Sequence, residues 1–366
     1  MQRSIYVRPV GMFPAKGGDG PLPDQAETWG GLPLAGTRFD FAAFEVIARE
    51  GTGVVRRTVS LSEAFERDWG RHTLAAADLI DAMHAPRPRL AGLSLDRPRI
   101  MGIVNVTPDS FSDGGRLGSV EAAIAHALAL ADQGADILDI GGESTRPGSD
   151  AVALDEELRR VIPVIEGLRG KTDQLISIDT RKAEVMKRAA AAGADILNDV
   201  SALTHDPKAL DVAAESGLPV MLMHAQGDPK TMNDNPQYSD VVLDVFDFLE
   251  RRIQACEAAG IPKARIVADP GIGFGKHLHH NVAVMAGLSL YHGLGVPLLL
   301  GASRKKMIGQ LCDVADPKDR VPGSLATVLA GAGQGVQIFR VHDVAETRQA
   351  LMVWLASVFG TEKGLG

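Results

Sequence analysis

The chain has 366 residues, 45% of them hydrophobic and 23% charged, with a formal net charge of −8. That balance supports a large buried core and excludes a disordered or fibrous protein. Lys and Arg are scattered, so no basic footprint for nucleic acid is present. Cys256 and Cys312 are the only cysteines, too few for a disulfide framework and not spaced as a metal-ligand pair. The first residues, Met1 to Pro9, lack the apolar segment of a secretory signal. No apolar run approaches the roughly 20 residues needed to cross a bilayer. The expectation is a soluble cytoplasmic protein.

Residues 1–90 read as an N-terminal extension with a fold of its own. Gly17 to Pro23 has loop composition, Phe39–Glu50 and Ser60–Trp69 have helical periodicity, and Val54–Val59 is a candidate strand between them. Leu74–Met83 reads as a further helix. Trp29 and Trp69 fall in this segment, and such apolar content points to a folded appendage rather than a tail. It has three conceivable roles: covering the amino-terminal end of a barrel formed by residues 91–366, widening a dimer interface, or reaching toward active-site loops. A structural role is expected.

The text changes character near residue 90, where Pro86, Pro88 and Pro98 bracket a boundary. From 91 to 366, short apolar runs alternate with amphipathic stretches. Strands are expected at Arg99–Val104, Asp136–Ile140, Leu175–Ile178, Asp195–Leu197, Pro219–Met223, Arg265–Ala268, Pro297–Leu300 and Val336–Val341. Helices are expected at Val120–Gln133, Asp155–Leu168, Lys182–Ala192, Pro207–Ser216, Ser239–Ala259, His280–Tyr291, Asp319–Gly333 and Val344–Phe359. The strand runs are continuously apolar, as strands buried on both faces are. Eight alternations in about 270 residues match an α/β fold of the closed (β/α)8 TIM-barrel type, here with an extra N-terminal appendage. Two echoing sextets, Gly134-Ala-Asp-Ile-Leu-Asp and Gly193-Ala-Asp-Ile-Leu-Asn, each close a helix and open a strand.

Such barrels build their sites at the carboxyl ends of the strands. Here those ends are polar throughout: Asn105, Asp139, Asp179, Asn198, His224, Asp269, Ser303 with Lys305, and Arg340 with His342. A scaffold needs no such ring, so it points to an enzyme. In Gly102-Ile-Val-Asn-Val-Thr-Pro-Asp-Ser-Phe-Ser-Asp-Gly-Gly, Asn105 offers an amide oxygen to a hard cation such as Mg²⁺, although a strand-end Asn alone is more often a turn former. Gly141-Gly-Glu-Ser-Thr-Arg-Pro-Gly carries Thr145 and Arg146, and Arg suits phosphate or carboxylate. Ile176-Ser-Ile-Asp-Thr-Arg, Ile196-Leu-Asn-Asp-Val and Asp269-Pro-Gly-Ile-Gly-Phe-Gly-Lys set two carboxylates and an amide at strand ends. These are acceptors for a heteroaromatic ring with a guanidine-like edge, though a single Asp there also caps the next helix. Arg340 and His342 are two apart, hence on one strand face, near where barrels often bind phosphate. The glycines at 271–275 are only superficially a dinucleotide fingerprint, since the next strand carries no acid.

Together with Met223-His224, Gly301-Ala-Ser-Arg-Lys, Gly323-Ser-Leu-Ala and Arg340-Val-His-Asp, these motifs closely resemble the dihydropteroate synthase family, in family order from about Pro98 to the end. The resemblance implies that Asp179, Asn198, Met221, Asp269, Phe274, Lys305 and Arg340 hold a pterin. It implies that Asn105, Thr145, Arg146, Arg340 and His342 take the diphosphate, and that Asn105 contacts Mg²⁺. Thr145, Arg146, Pro147, Phe274 and Ser303 would approach p-aminobenzoate. Asp179, Lys305, Arg340 and Asn105 would be the catalytic set. None of these positions departs from the family pattern. The family also implies a homodimer and competition by sulfonamides. Two rivals remain: a methyltetrahydrofolate–corrinoid methyltransferase barrel, which needs no diphosphate site, and a non-catalytic pterin-binding scaffold.

Overall fold

The computed structural model describes residues 3–15, 31–51, 53–66, 72–106, 120–144, 149–227, 231–232 and 234–361. The chain opens with β1 (Ile5–Pro14), β2 (Leu32–Pro33), β3 (Phe39–Glu50) and β4 (Gly53–Ser60), then α1 (Leu61–Glu66) and α2 (Thr73–His84). The four strands form an antiparallel sheet. β3 pairs with β1 along one edge and with β2 and β4 along the other.

Two expectations are corrected here. Phe39–Glu50 is a strand, not a helix, and β1 lies where no element was expected. β3 changes the face it buries midway: Phe39 and Phe41 are buried on one side, Phe44 and Val46 on the other. That switch breaks the period-two alternation and leaves apolar residues three and four apart, which imitates a helix. Ser60–Trp69 is helical only over Leu61–Glu66 among its described residues. Trp29, Trp69 and the Gly17–Pro23 loop lie outside the described residues.

The barrel comes next. It runs β5 (Arg99–Asn105), α3 (Val120–Asp132), β6 (Ile137–Gly141), α4 (Leu154–Leu168), β7 (Leu175–Asp179), α5 (Ala183–Ala192), β8 (Ile196–Asp199) and α6 (Ala209–Ser216). It continues with β9 (Val220–Met223), α7 (Val241–Ala258), β10 (Ile266–Asp269), α8 (Leu278–Ala286), β11 (Leu299–Leu300), α9 (Lys306–Cys312), α10 (Val321–Ala332), β12 (Ile338–Val341) and α11 (Val344–Phe359). All eight barrel strands are parallel, in the order β10-β9-β8-β7-β6-β5-β12-β11. A parallel bridge from Ala268 to Leu298 closes the ring, with the Ala268 N–H donating to the Pro297 carbonyl at 2.9 Å. The expected helix His280–Tyr291 instead ends at Ala286, and a 3₁₀ segment covers Leu288–Leu294. Among the described residues no helix is long and apolar enough to cross a membrane.

Inside the barrel, Met101, Ile137, Ile196, Met221, Val267, Leu299 and Ile338 form one apolar cluster, joined from below by Leu90 and Leu95. The segment between α2 and β5 therefore plugs the amino-terminal mouth. Filling that end leaves only the carboxyl end open to a ligand.

The N-terminal sheet is bonded to the barrel's helical layer. The fully buried Tyr6 ring meets Phe246 of α7 edge-on at 5.6 Å, and its hydroxyl donates to Asp247 Oδ1 at 2.7 Å while accepting from Arg49 Nε at 3.0 Å. At the other end of β3, Phe39 lies 5.8 Å from Trp354 and 5.2 Å from Phe359 of α11. Tyr6→Phe removes the hydroxyl from a buried carboxylate and an arginine. It is expected to lower stability by about 1–3 kcal/mol, read as a lower urea midpoint at unchanged slope; an unshifted midpoint would show that this junction contributes nothing.

Candidate active site

Strand register assembles the site. Asn105 pairs with Gly141, Gly141 with Asp179 and Asp179 with Asn198, so these four lie in one layer across β5–β8. Gly141 leaves a gap in that layer. A Cβ there would stand 3.6 Å from Asp179 Cβ and 3.8 Å from Asn105 Oδ1. Opposite, Gly301 leaves a second gap, its notional Cβ 3.8 Å from Asp269 Oδ2 and 3.9 Å from Arg340 Cβ.

Arg340 ties the layers together. Its Nε donates to Asp139 Oδ2 at 2.6 Å and its Nη2 to Asp179 Oδ2 at 2.7 Å. Asn198 Nδ2 donates to both Asp139 oxygens at 3.3 Å. Asp139 is wholly buried and Asp179 is 6% exposed. Burial raises the Asp179 pKa; Arg340 opposes this, while Asp139 and Asp199 add repulsion. Among the described residues, Asp179 Oδ1 is buried with no hydrogen-bond partner. A buried acceptor left unpaired is costly, so it is ready for a ligand's N–H.

Asp269 ends β10 on the far side. Its Oδ1 accepts from the Gly271 N–H at 2.7 Å, and burial raises its pKa to about 6 against the pull of that bond, Lys305, Lys276 and Arg340. The turn after it is tight. Gly271 has φ +69° and a Cβ there would lie 2.0 Å from the His224 carbonyl oxygen, so no other residue fits. Lys276 reaches back under this turn, its Nζ 2.8 Å from His224 Nδ1 and donating to the Gly271 carbonyl at 2.8 Å and the Phe274 carbonyl at 3.2 Å. Burial lowers the Lys276 pKa to about 7, with Asp269 opposing and Lys305 assisting. Lys305 Nζ lies 4.1 Å from the centroid of the Phe274 ring, a cation–π contact. Ser303 Oγ is 3.0 Å from His342 Nδ1 and accepts from the His342 N–H at 3.2 Å.

A buried charge cluster stands behind β7. Glu143 binds Arg181 at 3.0 Å and Lys182 at 2.7 Å, Lys182 also binds Glu157, and Thr180 Oγ1 donates to Glu157 at 2.6 Å. It anchors Glu143, whose carboxylate also accepts from the Val152 N–H at 3.3 Å.

The structure brings together Asn105, Asp179, Asn198, Asp269, Phe274, Ser303, Lys305, Arg340 and His342. Thr145, Arg146 and Pro147 lie outside the described residues. Met221 belongs to the apolar barrel interior; Met223, the last residue of β9, is the methionine beside the Gly271 turn, 3.1 Å from the notional Cβ. His224 is spent on Lys276. Sequence reasoning gave Asp139 no role beyond its place in the ring and missed Lys276, whose burial against a histidine from another strand has no local signal.

Mg²⁺ fits only with help from a substrate. Among the described residues no group of three or more His, Cys, Asp or Glu could hold a metal. Asn105 supplies one hard oxygen, and Mg²⁺ commonly completes its shell with waters and phosphate oxygens.

Residues 101–342 match the family model described as pterin binding enzyme. Dihydropteroate synthase of Escherichia coli K12 is 50% identical over 270 residues, covering 74% of this chain and 95% of its own length. The solved structure of Xanthomonas albilineans dihydropteroate synthase with 4-aminobenzoic acid superposes with a TM-score of 0.70 at 56% identity, covering 74% of this chain and 98% of that one. The same enzyme in complex with 7,8-dihydropteroate gives 0.68 at 52%, with 74% and 98% covered. Since these relatives are matched nearly whole and the family match begins at residue 101, most of the N-terminal sheet has no counterpart in them.

A carboxyl whose folded-state pKa is raised favours folding when protonated. Asp269's contribution is thus fully present below pH 3.8 and lost as pH rises through about 6. Asp269→Asn, which keeps an acceptor for Gly271, should exceed the parent in stability above pH 6 by up to about 3 kcal/mol, with the advantage closing toward pH 4. A difference independent of pH in urea titrations would refute the raised pKa.

Proposed function

The chain belongs to the dihydropteroate synthases of the pterin binding enzyme family, and on that premise we propose that it joins 6-hydroxymethyl-7,8-dihydropterin diphosphate to p-aminobenzoate, giving 7,8-dihydropteroate and diphosphate. The observation that carries this reading is the unpartnered Asp179 Oδ1, buried beside Asn198 and across the mouth from Asp269. A pterin's guanidine-like edge presents several N–H donors to such a set. Phe274 and Met223 would flank the ring, and Lys305 and Arg340 would meet its carbonyl side and face. Asn105, His342 and Arg146 would take the diphosphate, with Thr145 and Pro147 near p-aminobenzoate and Ser303 orienting His342. Bound Mg²⁺, held by Asn105, would neutralise charge on the diphosphate. Homodimer assembly and a cytoplasmic location come from the same premise.

The reaction replaces a C–O bond by a C–N bond at the methylene next to the ring. The electron pair of the C–O bond leaves with diphosphate, the arylamine nitrogen supplies the new pair, and its proton passes to diphosphate or water. Arg340 and His342 stabilise the charge that grows on the leaving oxygen, an effect stronger in the transition state than in the ground state. Electron release from the ring, beside the Asp179 carboxylate, supports positive charge at the methylene. A dissociative path results, with diphosphate leaving before the weakly basic amine attacks. No covalent nucleophile is required. Cys256 is buried in α7 and its burial pushes its thiol pKa up to about 11, while Cys312 closes α9.

Diphosphate release from the pterin substrate with Mg²⁺, with and without p-aminobenzoate, tests the reading. Dihydropteroate should form, and Lys305→Ala or Arg340→Ala should cut kcat/KM by about 10²–10³; no product from folded wild-type protein would sink it. Without the amine, slow release with hydroxymethylpterin as product marks the dissociative path, and strict dependence on amine argues against it. Because Oδ1 of Asp269 already accepts from Gly271, protonation makes the other oxygen a donor and weakens the carboxyl as an acceptor for the pterin, so kcat/KM for the pterin substrate should fall as pH drops below about 6. A flat profile down to pH 5 would remove Asp269 from that role.

A further inference from the structure

The N-terminal sheet touches the barrel where α7 begins, at the carboxyl end of the strands. Arg49 of β3 donates from Nη1 to Ser239 Oγ at 3.1 Å and from Nη2 to Asp244 Oδ1 at 2.8 Å. Asp244 Oδ2 in turn accepts from the Ser239 N–H at 2.7 Å and the Asp240 N–H at 3.3 Å. Asp240 caps α7 with Oδ1, accepting from the Val242 and Leu243 amides at 3.1 and 3.2 Å, and its Oδ2 accepts from Arg56 Nη2 of β4 at 2.7 Å. Two arginines of the appendage therefore fix the backbone of residues 239 and 240.

The residue just before them is Tyr238. Its hydroxyl donates to the Gly275 carbonyl at 2.6 Å, and its ring lies 4.9 Å from that of His280. The neighbouring Gln237 backbone is tied on both sides to the Gln226 amide, at 3.0 and 3.1 Å. Gly275 has φ +60° and stands so near Gln226 that a Cβ would come within 2.4 Å of its carbonyl oxygen. It also sits between Phe274, whose ring meets Lys305, and Lys276, which braces the Asp269 turn. Hydrogen bonds joined by the peptide link between Tyr238 and Ser239 thus run from the sheet to the loop that would hold the pterin.

We propose that the N-terminal sheet positions the active site, with Arg49 and Tyr238 as positioning residues at the two ends of a relay that holds the 269–276 loop in its binding shape. The proposal rests on the pterin-binding reading of that loop, and it gives the appendage a role absent from the relatives that lack it. Neither residue meets the reacting atoms. Their effect is on the placement of Phe274, Lys276 and, through the Phe274 ring, Lys305.

The test uses the full chain with Arg49→Ala, Tyr238→Phe and the double variant. Tyr238→Phe removes one hydroxyl and keeps the ring, so it remains informative if Arg49→Ala folds poorly. Hydrogen–deuterium exchange of the ligand-free protein is read first. Both single variants should speed exchange of the amides at 271–276, while those of β6 and β7 stay protected. Steady-state kinetics come second. KM for the pterin diphosphate should rise about 5- to 20-fold with kcat and the KM for p-aminobenzoate little changed, and the double variant should be no worse than the poorer single one, as members of one relay behave. Arg49→Lys should recover part of the loss. Unchanged exchange at 271–276, or a lower melting temperature with KM unmoved, overturns the proposal and leaves the sheet a scaffold. Wild-type protein that makes no dihydropteroate would defeat the functional reading instead, while the exchange data would still decide whether the relay exists.

Discussion

The barrel mouth depends on one cation. Arg340 stands between Asp139 and Asp179, bonding each at 2.6–2.7 Å, and neither carboxylate is accessible enough for water to replace it. Removing one partner from a buried pair costs about 3–5 kcal/mol, because the survivor is left charged and unpaired. Here two carboxylates would be stranded at once. The arginine can serve both only because β12 lies beside β5, which carries the ring round to β6 and β7. Pairing of the first and last barrel strands and construction of the site are thus the same event.

The arrangement is deliberately incomplete. Asp139 is satisfied by Arg340 and Asn198, yet one Asp179 oxygen has no partner. Asp269 holds a raised pKa and Lys276 a lowered one because both are buried, and each is only partly relieved by the other. Gly141 and Gly301 keep the space above these groups clear. A well-packed apolar mouth would be more stable, so the polar groups mark where folding free energy has been given up for ligand recognition.

The barrel was legible because its strands are apolar on both faces and end at polar residues, a pattern set by local sequence. The same pattern exposed Asp179, Asn198, Asp269 and Arg340 as neighbours in space from their strand-end positions alone. The N-terminal sheet was not legible. β3 swaps its buried face between Phe41 and Phe44, and β1 contains Pro9 and Gly11, so neither shows clean alternation. Met221 and Met223 share a strand face, and only the depth of the apolar plug below distinguishes interior from mouth. Lys276 looks like a loop lysine until His224, 52 residues earlier, is brought against it.

Charge shows the same division between local and global. The chain carries −8 overall, yet Lys305, Arg340 and Lys276 all lie near Asp269 at one mouth of the barrel. Such a gathering repels itself: burial lowers the Lys276 pKa, and Lys305 adds to that lowering. It is held together by buried carboxylates from β6, β7 and β10, and by a loop braced from outside the barrel. The braces matter because preorganised charge stabilises a transition state only if it does not have to move during the reaction. An appendage that grips the first turn of α7 adds rigidity where the loop's glycines, at 271, 273 and 275, would otherwise permit several shapes.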